Sequence, residues 1–374
     1  MRRAPRAARR PESRGERQFS RLSARDLSSS TSLAPPPPRL VHSLEARRTL
    51  HRSSARTPVV ATEPHDVAMT TSPPPLLRVA EHDRAAARAL HRRHHAGFLV
   101  RVTDGVYLDA ATWRDLTPAQ RHLVTARALA PTIRPTAAFS HVTAALAFGW
   151  PMIDQLPERV HVTDAATPRT EHRAHLVRHA GPPEVGSTPS TFAGLPVTSR
   201  LRTAIDLVTT LEPAVASVAI DHAVRQGALD VEHFTEALPP RPRRGSVRAH
   251  LVAAALDAGH ESVGESYTAI RMVELGLPVP DVQHEFRHAD GRVDRVDFWF
   301  PELGVIVEFD GKQKYTDADM LDGRNPGDAV WHEKIREDRL RSLPRVRTVV
   351  RPTWWHLVEL ERLRTLFRQH RVVV

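Results

Sequence analysis

Val296-Asp297-Phe298-Trp299-Phe300 runs through the short turn Pro301 to Gly304 into Val305-Ile306-Val307-Glu308-Phe309-Asp310-Gly311-Lys312. From Gly304 to Phe309 the chain is apolar apart from Glu308, so both flanks of the turn read as buried strands of a central sheet. Side chains alternate along a strand, which sends Glu308 and Asp310 to the same side, while Asp297 stands on the neighbouring strand. Burying so much negative charge without a partner costs on the order of several kcal/mol per ion. A divalent cation answers that cost.

Composition draws attention to Lys312. Of 53 basic side chains only Lys312, Lys314 and Lys334 are lysine, and all three fall in this region. A chain so biased to arginine keeps lysine where a compact ammonium cannot be replaced by a guanidinium fork. Other readings stand beside these. Asp310-Gly311 is a common strand-end turn, and Asp297 can end a strand by solvation. Ser262-Val263-Gly264-Glu265 has the form of a capping box.

On these residues the chain from about 250 to 374 resembles the PD-(D/E)XK nuclease superfamily, and within it the relatives of very-short-patch-repair endonucleases. The resemblance implies a restriction-endonuclease-like fold, with a central mixed sheet flanked by helices, and Mg2+ (or Mn2+) as cofactor. Asp297 matches the strand-end acid, Asp310-Gly311-Lys312 the acid-x-Lys, and Glu265 the acid of the preceding helix. Alternatively, Glu308-Phe309-Asp310 is the acid-x-variant, with Lys312 displaced by two residues. The implied catalytic set is therefore Asp297, Glu308, Asp310, Lys312 and Glu265, with Asp297, Glu308 and Asp310 as metal ligands. The implied reaction is metal-assisted hydrolysis of DNA phosphodiesters in a defence or repair setting. One departure is plain: the histidine that follows Asp-Gly in the repair endonucleases is replaced by Lys314-Tyr315.

Around that core we read a hairpin of Val282 to Arg287 and Arg292 to Phe300, closed by a two-residue turn at Asp290-Gly291. A helix over Asp328 to Ser342, a strand over Val346 to Arg351 and a last helix over Trp354 to His370 follow, giving the order α-β-β-β-α-β-α. Lys314, Lys334, Arg336 and Arg339 are candidate phosphate contacts, and Trp354-Trp355 either stack on a base or pack in the core.

The length of 374 residues suggests two or three domains. Residues 1–75 hold 14 Arg against six acids and the run Pro35 to Pro38, which reads as a disordered tail able to bind nucleic acid. Its composition also resembles an organellar transit peptide, and Met69 is an alternative start. Residues 76–134 place a helical segment, Ala80 to His95, before strands around Asp104-Gly105. They resemble the winged-helix N-terminal domain of type IV abortive-infection antitoxins. That resemblance implies DNA contacts from Arg88, Arg92, Arg93 and Arg101, with a homodimer or a cognate toxin as protein partners. His91 and His95 lie one helical turn apart and lack a third metal ligand.

An α/β middle region, 135–242, resembles the central part of the same antitoxins and shows no evident chemistry. Thr198 or Ser199 caps its helix through Asp206. A linker over Pro239 to Gly245 precedes the nuclease-like part. The fold class expected for the whole is α/β (α+β). Zero cysteine excludes disulfides, thiolate zinc sites and cysteine nucleophiles. No apolar run approaches a membrane span, so the expected location is cytoplasmic. The expected activity is a DNA endonuclease; the alternative is a non-catalytic DNA-binding regulator of the antitoxin type.

Overall fold

The computed structural model describes residues 73–80, 83–153, 155–181, 190–311 and 326–374. Residues 1–72 of the expected tail, the Met69 start, Lys312 and Lys314 lie outside the described residues.

The first elements are β1 (Leu77–Arg78), α1 (Arg84–His95), β2 (Leu99–Thr103), β3 (Val106–Asp109), α2 (Ala110–Asp115) and α3 (Pro118–Leu129). Asp83 starts α1 by accepting from the Ala86 amide at 2.8 Å. Thr117 and Gln120 form a reciprocal capping box at the start of α3, with Pro118 in its first turn. The three strands pair antiparallel in the order β1-β3-β2. One inner face brings Val102, Val106 and Leu108 against Val124 and Ala128 of α3. Among the described residues one helix, Arg84–His95, precedes this hairpin where the sequence placed a helical segment over Ala80 to His95, and two further helices follow it.

The middle region contains β4 (Ala137–Phe139), α4 (His141–Ala147), β5 (Val160–Asp164), β6 (Glu171–His172), β7 (Leu176–Ala180), β8 (Ser190–Phe192) and β9 (Leu195–Val197). Four helices follow: α5 (Arg200–Thr210), α6 (Pro213–Arg225), α7 (Val231–Glu236) and α8 (Ser246–Ala255). The strand order is β6-β7-β5-β4-β9-β8, with β4-β9 and β5-β7 parallel and the other pairs antiparallel. Ser199 is the cap of α5, its hydroxyl accepting from the Arg202 amide at 3.1 Å.

The C-terminal part is α9 (Val263–Glu274), β10 (Asp281–Arg287), β11 (Val293–Phe300), β12 (Val305–Val307), α10 (Pro326–Ser342), β13 (Thr348–Val350), α11 (Trp354–Leu357) and α12 (Leu360–Gln369). The order matches the expected one, except that the last helix is two, broken between Leu357 and Leu360. The sheet runs β10-β11-β12-β13, antiparallel until the parallel pair β12-β13. Alternation divides its side chains as the sequence required. Phe298, Phe300, Val305 and Val307 pack with Ile270 of α9 and Phe367 of α12, while Trp299 and Ile306 pack with Leu340 of α10. Each fully buried Phe contributes roughly 1.5–3 kcal/mol. The hairpin turn is longer than expected. The amide of His288 donates to the Arg292 carbonyl at 2.9 Å, and Gly291 takes φ 82°, the left-handed residue of a three-residue loop.

The expected linker does not separate two cores. Helix α8 follows it directly and places Ala249 and Val252 in the middle core but Ala255 in the C-terminal one. Helix α6 divides in the same way, with Ile220 in the first core and Ala214 and Val218 in the second. A buried contact of 2.7 Å between Asp221 and His260 ties α6 to the loop before α9. The chain is thus a mixed α/β structure with mixed sheets. No helix among the described residues is long and apolar enough to cross a membrane.

A candidate active site lined by carboxylates

The strand β12 continues past Val307 without losing its alternation. Ile306 faces α10, so Glu308 follows it to that side, and α10 supplies Arg336 there. The amides of Glu308 and Asp310 donate to the carbonyls of Val350 and Pro352 at 3.0 and 2.9 Å, which holds this segment beside β13. Between them, Phe309 turns the other way. Its ring lies where a side chain at position 264 would be: a Cβ on Gly264 would come within 2.0 Å of it. Glycine is therefore required for the first turn of α9 to approach β12, and Glu265 follows immediately.

Glu265 is both a cap and part of the cavity wall. Ser262 Oγ accepts from the Glu265 amide at 3.2 Å, as the capping box requires. The carboxylate, however, accepts from the Glu261 amide at 2.9 Å, from Ser262 Oγ at 2.8 Å and from Gln283 Nε2 at 2.8 Å. Gln283 reaches it because it steps out of the ladder. Val282 pairs with Phe298 and His284 with Val296, while Gln283 between them takes φ 53°. Asp297 stands opposite that irregularity, and its Oδ2 accepts from the Phe309 amide at 2.8 Å.

A cavity of about 430 Å³ opens among these groups. Among the described residues, Glu261, Glu265, Asp297, Glu308, Asp310 and Glu333 line it, against Arg295, Arg336 and Arg351. The arginines are engaged. Arg295 makes a two-pronged contact with Glu261 at 2.9 and 2.8 Å. Glu308, 9% exposed, receives Arg336 Nη2 at 2.5 Å and Arg351 Nη2 at 3.1 Å, one on each oxygen. Glu333 binds the same two arginines. Burial pulls the Arg336 pKa down, but the hydrogen bond and charge of Glu308 outweigh it and raise the pKa above the arginine range. Arg351 behaves likewise, burial opposed by Glu308 and Glu333. Its Nε is buried without a hydrogen-bond partner among the described residues. No hydrogen bond or ion pair engages the Asp310 carboxylate among the described residues, and Asp297 stands beside it on the cavity wall with the Phe309 amide on its Oδ2.

The sequence expectation thus brought Asp297, Glu308, Asp310 and Glu265 to one cavity. Lys312 and Lys314 lie outside the described residues. Lys334 is exposed on α10. Arg336, expected at a phosphate, binds Glu308, Glu333 and the Arg295 carbonyl instead. Arg339 makes paired contacts with Asp294 at 3.1 and 2.8 Å. Trp354 packs edge-on against Tyr267 and Phe309, while Trp355 is 60% exposed beneath Arg362. At the other end of the chain Arg88, Arg92 and Arg93 are exposed on α1, and Arg101 is ion-paired with Asp104.

Hard oxygen donors and excess negative charge fit a magnesium-like cation. No three of these acids bring ligand atoms within 4.8 Å of one another among the described residues. Mg2+ accepts a hold by one or two carboxylates completed by water and phosphate oxygens. Asp297 and Asp310 are the candidate ligands; Glu308 fits less well because both its oxygens hold guanidiniums. Sequence reading missed a separate group of His141, His161 and His179, because nothing in their spacing marks them as neighbours.

No known protein family's profile matches the chain. Two curated relatives, the uncharacterized proteins Rv2248 and MT2308 of Mycobacterium tuberculosis, are each 28% identical over 139 residues. That match covers 37% of this chain and 51% of each relative, so the chain spans about half the length of the curated relatives it matches. The crystal structure of the RV2827C protein from Mycobacterium tuberculosis is similar with a TM-score of 0.31 and 14% identity, over 57% of this chain and 80% of that one. A likeness of that degree carries no argument about fold or function.

Proposed function

We propose that the carboxylate-lined cavity is the active site of a metal-dependent DNA endonuclease built on a restriction-endonuclease-like core. The observation that carries this reading is the gathering of Asp297, Glu308, Asp310 and Glu265 around one 430 Å³ cavity with, among the described residues, twice as many carboxylates as guanidiniums. Asp297 and Asp310 hold the cation. Mg2+, when bound, polarises the phosphoryl group and lowers the pKa of its water. The Phe309 amide orients Asp297 by hydrogen bonding to one of its oxygens. Glu308 fixes Arg336 and Arg351 on the cavity wall, where their guanidiniums are the candidate partners for a phosphate group of the substrate. Lys312 is assigned to transition-state charge by the sequence resemblance alone.

Supercoiled plasmid, single-stranded DNA and RNA, each incubated with purified protein and Mg2+ or Mn2+, form the test. Cleavage abolished by chelator and by Asp310→Ala supports the reading. Intact substrates in every case overturn it.

A second reading is a DNA-binding regulator of the antitoxin class. The engagement of both Glu308 oxygens by arginine favours it, since a carboxylate so compensated also suits a retained scaffold. In that case α1, with Arg88, Arg92 and Arg93 exposed, binds operator DNA with strong salt dependence and no cleavage.

A further inference from the structure

Three imidazoles meet in the middle region, far in sequence from the carboxylates. In the parallel pair β5-β7, Thr163 is in register with His179, and Thr163 shares a strand face with His161. His161 and His179 are therefore diagonal neighbours, and His179 Nε2 lies 3.1 Å from His161 Nδ1. His141 enters from the first residue of α4, where it holds φ 53°, a conformation that costs a non-glycine residue on the order of 1 kcal/mol. There its ring stacks on His179, with centroids 3.9 Å apart and planes inclined by 15°.

We propose that His141, His161 and His179 form a binding site for a divalent transition-metal ion of the zinc type. One nitrogen from each ring lies within 4.8 Å of the others. Tetrahedral zinc–imidazole bonds require nitrogens about 3.3 Å apart, so small rotations close the site. Three protein ligands leave a fourth position for water or an exogenous ligand.

The surroundings suit this use. Burial, and then the neighbouring cations and imidazoles, lower all three imidazole pKa values: His161 to about 3, His179 to about 4, and His141 well below its ordinary value. At neutral pH each ring is uncharged and has a lone pair to give. Behind His141 stands Asp206 of α5, whose Oδ2 is 3.4 Å from His141 Nδ1 and is buried with no hydrogen-bond partner among the described residues. A carboxylate behind a ligand histidine fixes its ring and raises its basicity. The nearby positive charge is Arg202, and Asp206 Oδ1 holds it at 2.8 Å. His161 is anchored from below, since Thr143 Oγ1 accepts from its amide at 2.8 Å and is 2.8 Å from His122 Nε2.

The test titrates the chelator-treated full-length protein with Co2+ and Zn2+, following visible absorption and calorimetry. One ion per chain with the intense visible bands of tetrahedral Co2+ is expected at the imidazoles. His179→Ala and the milder His161→Gln should each weaken that binding at least 100-fold, and Asp206→Asn by 10- to 100-fold. His91→Ala and the pair Asp297→Asn with Asp310→Asn should leave the bands unchanged, separating this site from the exposed histidine pair and from the acid cavity. Far-UV circular dichroism confirms that each variant is folded. Absence of Co2+ binding at micromolar concentration, or the same spectrum and stoichiometry in wild type and both histidine variants, would overturn the proposal.

Discussion

The Phe309 amide donates to the Asp297 carboxylate at 2.8 Å, joining the end of β12 to the middle of β11. Asparagine keeps an acceptor oxygen for that hydrogen bond, while the negative charge goes and the second oxygen becomes an amide donor. Asp297→Asn should therefore leave the protein folded, at a cost of about 1–3 kcal/mol of stability. On the endonuclease reading it should lower cleavage by at least 100-fold. Urea unfolding beside a plasmid-nicking assay checks both; a variant that cuts like wild type removes Asp297 from the site.

Glu308 and its two arginines make a buried charged network, so removing one partner exposes the rest to unbalanced charge. Arg336→Met should destabilise the fold by about 2–4 kcal/mol. Adding Glu308→Gln should recover part of that loss, with a coupling of about 1–3 kcal/mol in the double-mutant cycle. Additive effects would mean that the contact of 2.5 Å is energetically idle.

The ring of Phe309 occupies the space that any side chain at 264 would need. Gly264→Ala should push α9 away from β12 at a cost of about 1–3 kcal/mol, taking Glu265 with it. Shrinking the ring restores room, so Phe309→Leu added to Gly264→Ala should recover melting temperature relative to Gly264→Ala alone. Equal melting temperatures for wild type and Gly264→Ala would refute the close approach.

Acid should destabilise the middle region through its buried histidines. Burial holds His122 at about 4, His161 at about 3 and His179 at about 4, against an ordinary 6.5. As pH falls below 6.5, the unfolded chain takes up protons that the folded one refuses, so stability is lost between about pH 6.5 and 3, most of it above 4. His122 alone accounts for on the order of 3 kcal/mol. Asp206 acts in the opposite sense, because burial raises it to about 6, and its folded form gains stability as pH falls from there towards 3.8. Three histidines outweigh it. Urea midpoints in chelator should drop from pH 7.5 to 5, and His122→Gln should flatten the profile.

Legibility in the sequence followed range. The alternation around Val305-Ile306-Val307 and the Ser262 cap depend on neighbours a few residues apart, and both could be read directly. Arg336 and Arg351 come to Glu308 from 28 and 43 residues away, so a carboxylate read as a metal ligand was found holding guanidiniums. The histidines at 141, 161 and 179 meet because a parallel strand pair and a left-handed helix start bring them together, and no local pattern announces either. Gln283 was equally silent, since a single residue leaving a strand ladder is not a periodicity.

Helices α6 and α8, each contributing to two hydrophobic cores, behave as a shared keel. Cutting the chain within Pro239 to Gly245 should not release a soluble C-terminal fragment, because Ala214 and Val218 would leave with the other piece and bare the face of α9 they cover. The acid-lined and imidazole-lined halves are thus bound to fold, and to melt, together.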